Sequence, residues 1–286
     1  MTIQTAYQWL LQQLFDGYDT REAANIANWL IEEATGFTKI DRIVHKDFTL
    51  NAAQKASIHR WGEALANGQP VQYVLGYCYW GNMQLQVNKH VLIPRPETEE
   101  LAAWIVSSVN KHTPLYIADI GTGSGCIPIY LKKHLPQGEV YAIDIDAAAL
   151  AVAKANAQAQ QTAIHFKQID ALRANDWQVL PPLDVLVSNP PYVLLSEAET
   201  MMPHVLHHEP HLALFVPDTN PLLFYQAIAT QGLQYLKQDG WLFFEINEQY
   251  AAATVALLEQ LGYTNIVVQQ DMRGKDRMLR ARKSKD

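Results

Sequence analysis

The sequence predicts an α/β protein whose largely parallel sheet is covered by helices on both faces and preceded by a small helical domain. Three observations predict this. From Leu115 almost to the C-terminus, short runs rich in strand formers alternate with segments of helical periodicity, the pattern of consecutive βα units. From Thr2 to about Asn67 the apolar spacing is helical throughout. Between the two lies a stretch of strand formers with a Gly-Asn pair at its centre, which reads as a hairpin. The expected organisation is a helical domain over 1–68, a β-hairpin linker over 69–94 and an α/β domain over 95–286.

Each element has its own signal. Trp9, Leu10, Leu14 and Phe15 fall at helical spacing, as do Ile26, Ala27, Leu30 and Ile31, and Asp19 with Glu22 three residues on reads as a capping box for the second helix. Thr49 or Asn51 caps a third helix running towards Leu65, and Trp9, Trp29 and Trp61 read as core packing. The linker opens on the turn signal NGQP and carries Gly81-Asn82 as its hairpin turn. In IPRPETEE two prolines bracket Arg95, and the acids suit the first turn of a helix through Ser108. Then follow the strand LYIADI, a helix to about His134, EVYAIDI, an Ala-rich helix, AIHFKQID and LDVLVSN. A helix near 221–236, GWLFFEI, a helix around 250–261 and the strands NIVVQQ and DRMLRAR close the series, and the final RARKSKD reads as a solvated tail.

Composition narrows the function classes. The 286 residues are 49% hydrophobic and 18% charged, enough for a substantial core, and the net charge of −7 argues against binding nucleic acid mainly through phosphate neutralisation. Cys78 and Cys126 are too few for a disulfide framework. Polar residues interrupt every apolar run of the N-terminus before a signal-peptide core forms, and no run approaches the roughly 20 apolar residues of a membrane span. A cytoplasmic protein is expected.

Two motifs carry chemistry. The first, D119-I-G-T-G-S-G125, follows a strand and opens a helix, where glycines let the backbone approach a ligand closely. The dinucleotide fingerprint wants its third glycine at 126, where this chain has Cys126, so Gly121, Thr122, Gly123, Ser124 and Gly125 fit S-adenosylmethionine better than NAD. Asp144 ends the second strand 21 residues after Gly123, where a doubly wound sheet places an acid on ribose hydroxyls. Asp170 ends the third, placed to accept from an adenine amine beside the Ala171 N–H. Together they favour a nucleoside-type pocket over a ligand-free βα turn.

The second motif, S188-N-P-P-Y192, follows the fourth strand. Consecutive prolines remove two backbone donors, so the Asn189 side-chain carbonyl and the Pro190 backbone carbonyl form a pair of acceptors matched to a planar NH2 group. Tyr192 offers a flat face to the substrate. An amide nitrogen is a poor nucleophile because its lone pair is delocalised. Accepting both N–H bonds raises its electron density and aims it at the sulfonium methyl, with no strong base needed before attack.

These residues resemble the release-factor glutamine N5-methyltransferases of the HemK/PrmC type. The resemblance rests on Q69-P-V-Q-Y-V-L-G76, V91-L-I-P-R-P-E-T-E99, D119-I-G-T-G-S-G125, V187-S-N-P-P-Y192, E209-P-H-L-A-L214 and D271-M-R-G-K-D-R277, in the family's order, and spans roughly residues 1 to 282. LIPRPETE separates the family from DNA adenine methyltransferases. The resemblance implies a Rossmann-like S-adenosylmethionine-dependent methyltransferase sheet, seven-stranded and mostly parallel, with a helical domain that grips the substrate. That substrate is the glutamine of the Gly-Gly-Gln loop in class I peptide-chain release factors. By motif, Gly121 to Gly125, Asp144, Asp170, Ala171 and Asn189 bind the cofactor. Asn189 and Pro190 orient the glutamine amide, Tyr192 packs on it, Pro191 belongs to the same substrate site, and Arg95, Glu97 and Glu99 shape the site floor. The chain departs from the pattern at Ala171, where Leu172 or Trp177 is left to pack on adenine, at the segment after EPHLAL, and at Asn247, where EIN replaces EIG.

Alternatives stand beside this. NPPY serves any planar NH2, so adenine or guanine amines of DNA or rRNA are rival substrates, with no direct nucleic-acid contact expected on the first reading. A non-catalytic protein docking on a release factor or ribosome is a third. H204-V-L-H-H-E-P-H211 has metal-like spacing, but Pro210 interrupts any helix that would align the ligands, and no metal is expected. A monomer is expected.

Overall fold

A computed structural model describes residues 1–15 and 17–284. The chain forms two compact units: Met1–Gly76 with Met202–His208, and Tyr77–Met201 with Glu209–Asp286.

The first unit carries helices α1 (Ile3–Leu14), α2 (Thr20–Thr35), α3 (Lys39–Val44), α4 (Ala52–Ala66) and α5 (Val71–Leu75). Its core follows the apolar stripe the periodicity foresees, with Leu10, Leu14, Ala27, Leu30, Ile31 and Ile58 buried and Trp9, Trp29 and Trp61 packed half-buried against it, except that Phe15, at the end of α1, is exposed. Asp19 caps α2 by accepting from the Arg21 and Glu22 N–H groups, while Asn51 and Gln54 cap α4 reciprocally. Within residues 1–76 two helices were not foreseen. Thr38 and Asp41 form a capping box for α3, too short for its periodicity to register. Residues 71–75, expected to begin the hairpin, form α5 instead. Pro70 starts that turn without needing an N–H, and Gly76 ends it at φ +82°, so strand propensity loses to the turn chemistry at both ends.

The hairpin therefore begins later, as β1 (Tyr77–Trp80) and β2 (Met83–Gln86), turning on Gly81 and Asn82, both at positive φ. It is held to the large unit by Asn156, whose buried amide accepts from the Gln86 N–H (2.7 Å) and donates to the carbonyls of Gln86 and Ser124 (2.9 Å each).

The large unit continues with α6 (Pro96–Ser108), β3 (Tyr116–Ile120), α7 (Cys126–His134), β4 (Glu139–Asp144), α8 (Ala147–Ala159), β5 (His165–Gln168), β6 (Leu183–Ser188) and β7 (Val193–Leu194). After α9 (Pro203–His208), which belongs to the first unit, come β8 (Phe215–Val216), α10 (Leu223–Tyr235), β9 (Leu236–Glu245), α11 (Ala251–Gln260), β10 (Tyr263–Gln270) and β11 (Asp276–Lys283). Seven strands form one sheet in the order β10-β11-β9-β6-β3-β4-β5, all running the same way except β11, which is antiparallel to both of its neighbours. Consecutive buried residues such as Ile117 and Ala118, or Leu242 to Phe244, are what a sheet covered on both faces requires.

The basic C-terminus is a correction. RAR and Lys283 belong to β11: Arg280 lies over the rings of Trp104 and Trp241, and Arg282 donates to the Asp239 carbonyl at 3.0 Å. Of the remainder of the expected tail, Lys285 and Asp286 lie outside the described residues.

Candidate active site

From β3 the chain winds outward through β4 to β5, then returns to lay β6 on the other side of β3. The loops after β3 and β6 consequently diverge from neighbouring strand ends and leave a crevice at the carboxyl edge, the place where doubly wound sheets bind ligands. Ile120 pairs with Ser188 across these strands, and the Ser188 hydroxyl donates to the Ile120 carbonyl at 2.6 Å. The glycine loop and NPPY thus start side by side. Between them lies a cavity of about 240 Å³ lined by both.

Of the loop, Gly121 to Ser124 line the cavity. Gly123 stands at φ +52° and donates its N–H to Asp144 Oδ2 at 2.9 Å, tying the loop to the end of β4. Gly125 faces elsewhere: at φ +80° it brings α7 against Ala153, where an added Cβ would lie 3.1 Å away. Asp144 also accepts from the Asp146 N–H, and burial raises its pKa. Asp170 and Ala171 line the same wall, with Asp170 accepting from the Leu172 N–H (2.9 Å) and pairing with Arg173 (3.2 Å). Exposed Leu172 borders the cavity, whereas Trp177 is fully buried and donates its indole N–H to the Ala171 carbonyl. Packing on a base is therefore open to Leu172 and closed to Trp177.

Beneath the loop sits a group that spacing did not single out. Asp119 is fully buried, and neither carboxylate oxygen has a partner at full hydrogen-bond geometry; burial foremost, with the Asp144 charge adding and the nearby Thr122 hydroxyl opposing, raises its pKa to about 7. Asp144 and Asp170 are the carboxylates that border the cavity, and they suit a ligand carrying hydroxyls and cationic groups. Asp144, Asp170 and the open glycine backbone together fit S-adenosylmethionine, a nucleoside carrying a sulfonium and an ammonium.

The opposite wall is the NPPY corner. Asn189, Pro190 and Pro191 line the cavity. Tyr192 does not: its ring packs on the sheet core and its hydroxyl donates to Glu245 Oε1 at 3.1 Å. Asn247, the EIN departure, reaches the Tyr192 carbonyl at 3.4 Å and adopts φ −73°, a conformation open to any residue. The Asn189 NH2 donates to the Thr98 hydroxyl at 3.2 Å, and that hydroxyl donates to Glu245 Oε2 at 2.6 Å. Glu245 is fully buried; burial raises its pKa, opposed by the Thr98 and Tyr192 hydroxyls and by the Arg277 charge.

The residues expected on the site floor behave differently from one another. Arg95 lines the cavity and pairs with buried Glu209 at 2.5 Å, joining IPRPETE to EPHLAL. Glu209 also accepts from the Ile93 N–H, so it is spent on structure within H204–H211. Glu99 instead accepts from the hairpin's Gly81 N–H, and neither it nor Glu97 borders the cavity. The member of PETE that faces NPPY is Thr98. Neither Thr98 nor Glu245 has a signal in spacing, because the contact joins residues 147 positions apart.

Residues 99–213 match the Methyltransferase small domain family and residues 5–76 the PrmC N-terminal domain family. The release factor glutamine methyltransferase of Flavobacterium psychrophilum is 37% identical over 98% of this chain and 99% of its own. That of Bacteroides thetaiotaomicron is 39% identical over 97% and 98%. Among solved structures, a methyltransferase from Pyrococcus furiosus matches 82% of this chain and 100% of its own at a TM-score of 0.51 and 13% identity. The hMettl16 catalytic domain matches 82% and 84% at 0.55 and 17%. These last two likenesses concern the fold alone.

Proposed function

The chain belongs to the release factor glutamine methyltransferases, S-adenosylmethionine-dependent enzymes, and we propose that it methylates the glutamine amide nitrogen of the Gly-Gly-Gln motif in class I release factors. The observation that carries the reading is the adjacency of the glycine loop and the Asn189-Pro190 acceptor pair across one cavity at the β3/β6 crevice. Bound S-adenosylmethionine supplies an electrophilic methyl group. Gly121 to Ser124, Asp144, Asp170 and Ala171 hold it. Asn189 Oδ1 and the Pro190 carbonyl accept the two N–H bonds of the glutamine amide and keep its nitrogen lone pair directed at that methyl. Pro190 and Pro191 contribute no N–H that would compete for those acceptors. The amide nitrogen becomes acidic as its fourth bond forms, and its proton leaves to water.

The helical unit, Met1–Gly76 with Met202–His208, grips the protein substrate on this reading, and the enzyme works as a cytoplasmic monomer. Among the described residues no helix is long and apolar enough to cross a membrane. The test is transfer of labelled methyl to a purified release factor, with duplex DNA and ribosomal RNA in parallel. Label on the factor, lost when its Gly-Gly-Gln glutamine is replaced, is the expected outcome. Label on nucleic acid instead overturns it in favour of adenine or guanine methylation. Cofactor binding with no label anywhere leaves a binding protein.

A further inference from the structure

An acceptor pair works only if the correct end of Asn189 faces the cavity. A carboxamide presents an oxygen on one side and an NH2 on the other, and the two ends have nearly the same shape. If the group turned over, Nδ2 would meet the substrate NH2 as donor against donor.

What prevents this is a chain of hydrogen bonds that runs from Thr98, on the cavity wall, back to Glu245 behind it. A threonine hydroxyl has one proton, and that of Thr98 goes to the buried Glu245 carboxylate at 2.6 Å. Towards Asn189 the hydroxyl can then present only a lone pair, so the end of the carboxamide facing it at 3.2 Å must be the NH2. Both oxygens of Glu245 accept from hydroxyls, Thr98 on one and Tyr192 on the other, which is the pattern of an ionised carboxylate. Glu245 does not line the cavity.

We propose that Glu245, acting through the Thr98 hydroxyl, is the positioning group that sets which end of the Asn189 carboxamide faces the substrate. This rests on the glutamine-methylation reading. It assigns LIPRPETE a task through Thr98, and it assigns Glu245 no contact with the reacting atoms. A further consequence concerns selectivity between glutamine and glutamate. Oδ1 turned to the cavity attracts an NH2 and repels a carboxylate, whereas Nδ2 in its place would do the reverse.

The experiment compares Thr98→Val, which keeps the branched shape and deletes the hydroxyl, with Thr98→Ser, which keeps the hydroxyl. Transfer to the release factor is measured together with inhibition by a release factor carrying Gly-Gly-Glu. For Thr98→Val, kcat falls about tenfold, the scale of one hydrogen bond of orientation. S-adenosylmethionine affinity changes less than twofold, and the Gly-Gly-Glu factor inhibits more strongly than it does the unsubstituted enzyme. Thr98→Ser recovers most of kcat and the original inhibition. Glu245→Gln lowers kcat in the unsubstituted enzyme and has a smaller effect once Thr98 is Val, since the chain is already cut. A merely structural role would lower the melting temperature without changing the preference for glutamine over glutamate. An unchanged preference in a folded Thr98→Val enzyme overturns the proposal while leaving glutamine methylation intact. Absence of transfer by the unsubstituted enzyme overturns both.

Discussion

The two walls of the cavity are built on opposite principles. The glycine-loop wall is local. Gly121 to Ser124 follow their own strand, and Asp144 and Asp170 each stand at or just beyond the end of the next strand across, so backbone geometry alone delivers all of them to one edge. The NPPY wall is assembled from afar. Asn189 is oriented by Thr98 on α6, Thr98 by Glu245 at the end of β9, and Tyr192 by that same carboxylate. A ligand-binding edge tolerates local construction because many backbone groups share the work. Aiming one amide nitrogen does not, because a single wrong donor reverses the recognition.

Perturbing each wall tests this contrast, and the largest effect belongs to the second. Asn189→Ala removes one of two acceptors at the reacting nitrogen. Its kcat should drop by roughly two to three orders of magnitude, with S-adenosylmethionine binding largely kept, as steady-state kinetics and calorimetry would establish. A loss smaller than tenfold would mean that Pro190 suffices.

Next comes the brace of the first wall. Asn156→Ala leaves the Gln86 N–H and the carbonyls of Gln86 and Ser124 without their side-chain partner. It should cost about 3 kcal/mol in urea unfolding, the scale of several lost buried bonds, and weaken cofactor binding through the loop. Stability within 1 kcal/mol of the parent would show that the hairpin is held by other contacts.

Asp119 gives a pH signature. Its pKa is raised from the ordinary carboxyl range to about 7, so between about pH 4 and 7 the folded protein holds a proton that the unfolded chain has released. Stability without ligand therefore falls as pH rises through that window, at up to about 1.4 kcal/mol per pH unit from this group. Asp119→Asn should remove that slope in denaturant midpoints taken from pH 5 to 7, and an unaltered slope would assign the titration to another residue.

The smallest effect is expected at Arg173, 74% exposed where it meets Asp170. Arg173→Ala should shift stability by less than about 0.5 kcal/mol, because solvent screens the pair. Cofactor affinity should stay within twofold, and a larger loss would mean that the pair orients Asp170.

Legibility in the sequence follows the same division. The βα alternation, the strand ends and Gly121 to Ser124, Asp144, Asp170 and Ala171 could be read, because period and turn chemistry are local, whereas Gly125 was read with them although it packs on Ala153. Misreadings occurred where two local signals competed or where a partner was distant. Residues 71–75 have strand formers between a helix-starting Pro70 and a helix-ending Gly76, and the ends won. RAR looked like a tail because its basic side chains find Trp104, Trp241 and Asp239 only when β11 pairs with β9. Thr98 was passed over between two acids that resembled site groups more closely, and Trp177 was offered to a ligand although the core had taken it.

By itself the sequence determined the elements, their alternation and the two loops that carry the chemistry. Those depend on propensity, periodicity and glycine or proline at fixed positions, which act over a few residues. Only the tertiary structure decided that β6 returns beside β3, that Asp119 is shut away from water without a partner at full hydrogen-bond geometry, and that one carboxylate at the end of β9 holds Thr98 and Tyr192. The physical reason is that hydrogen-bond direction and desolvation depend on which atoms meet after packing, and those atoms lie as many as 147 residues apart in the chain.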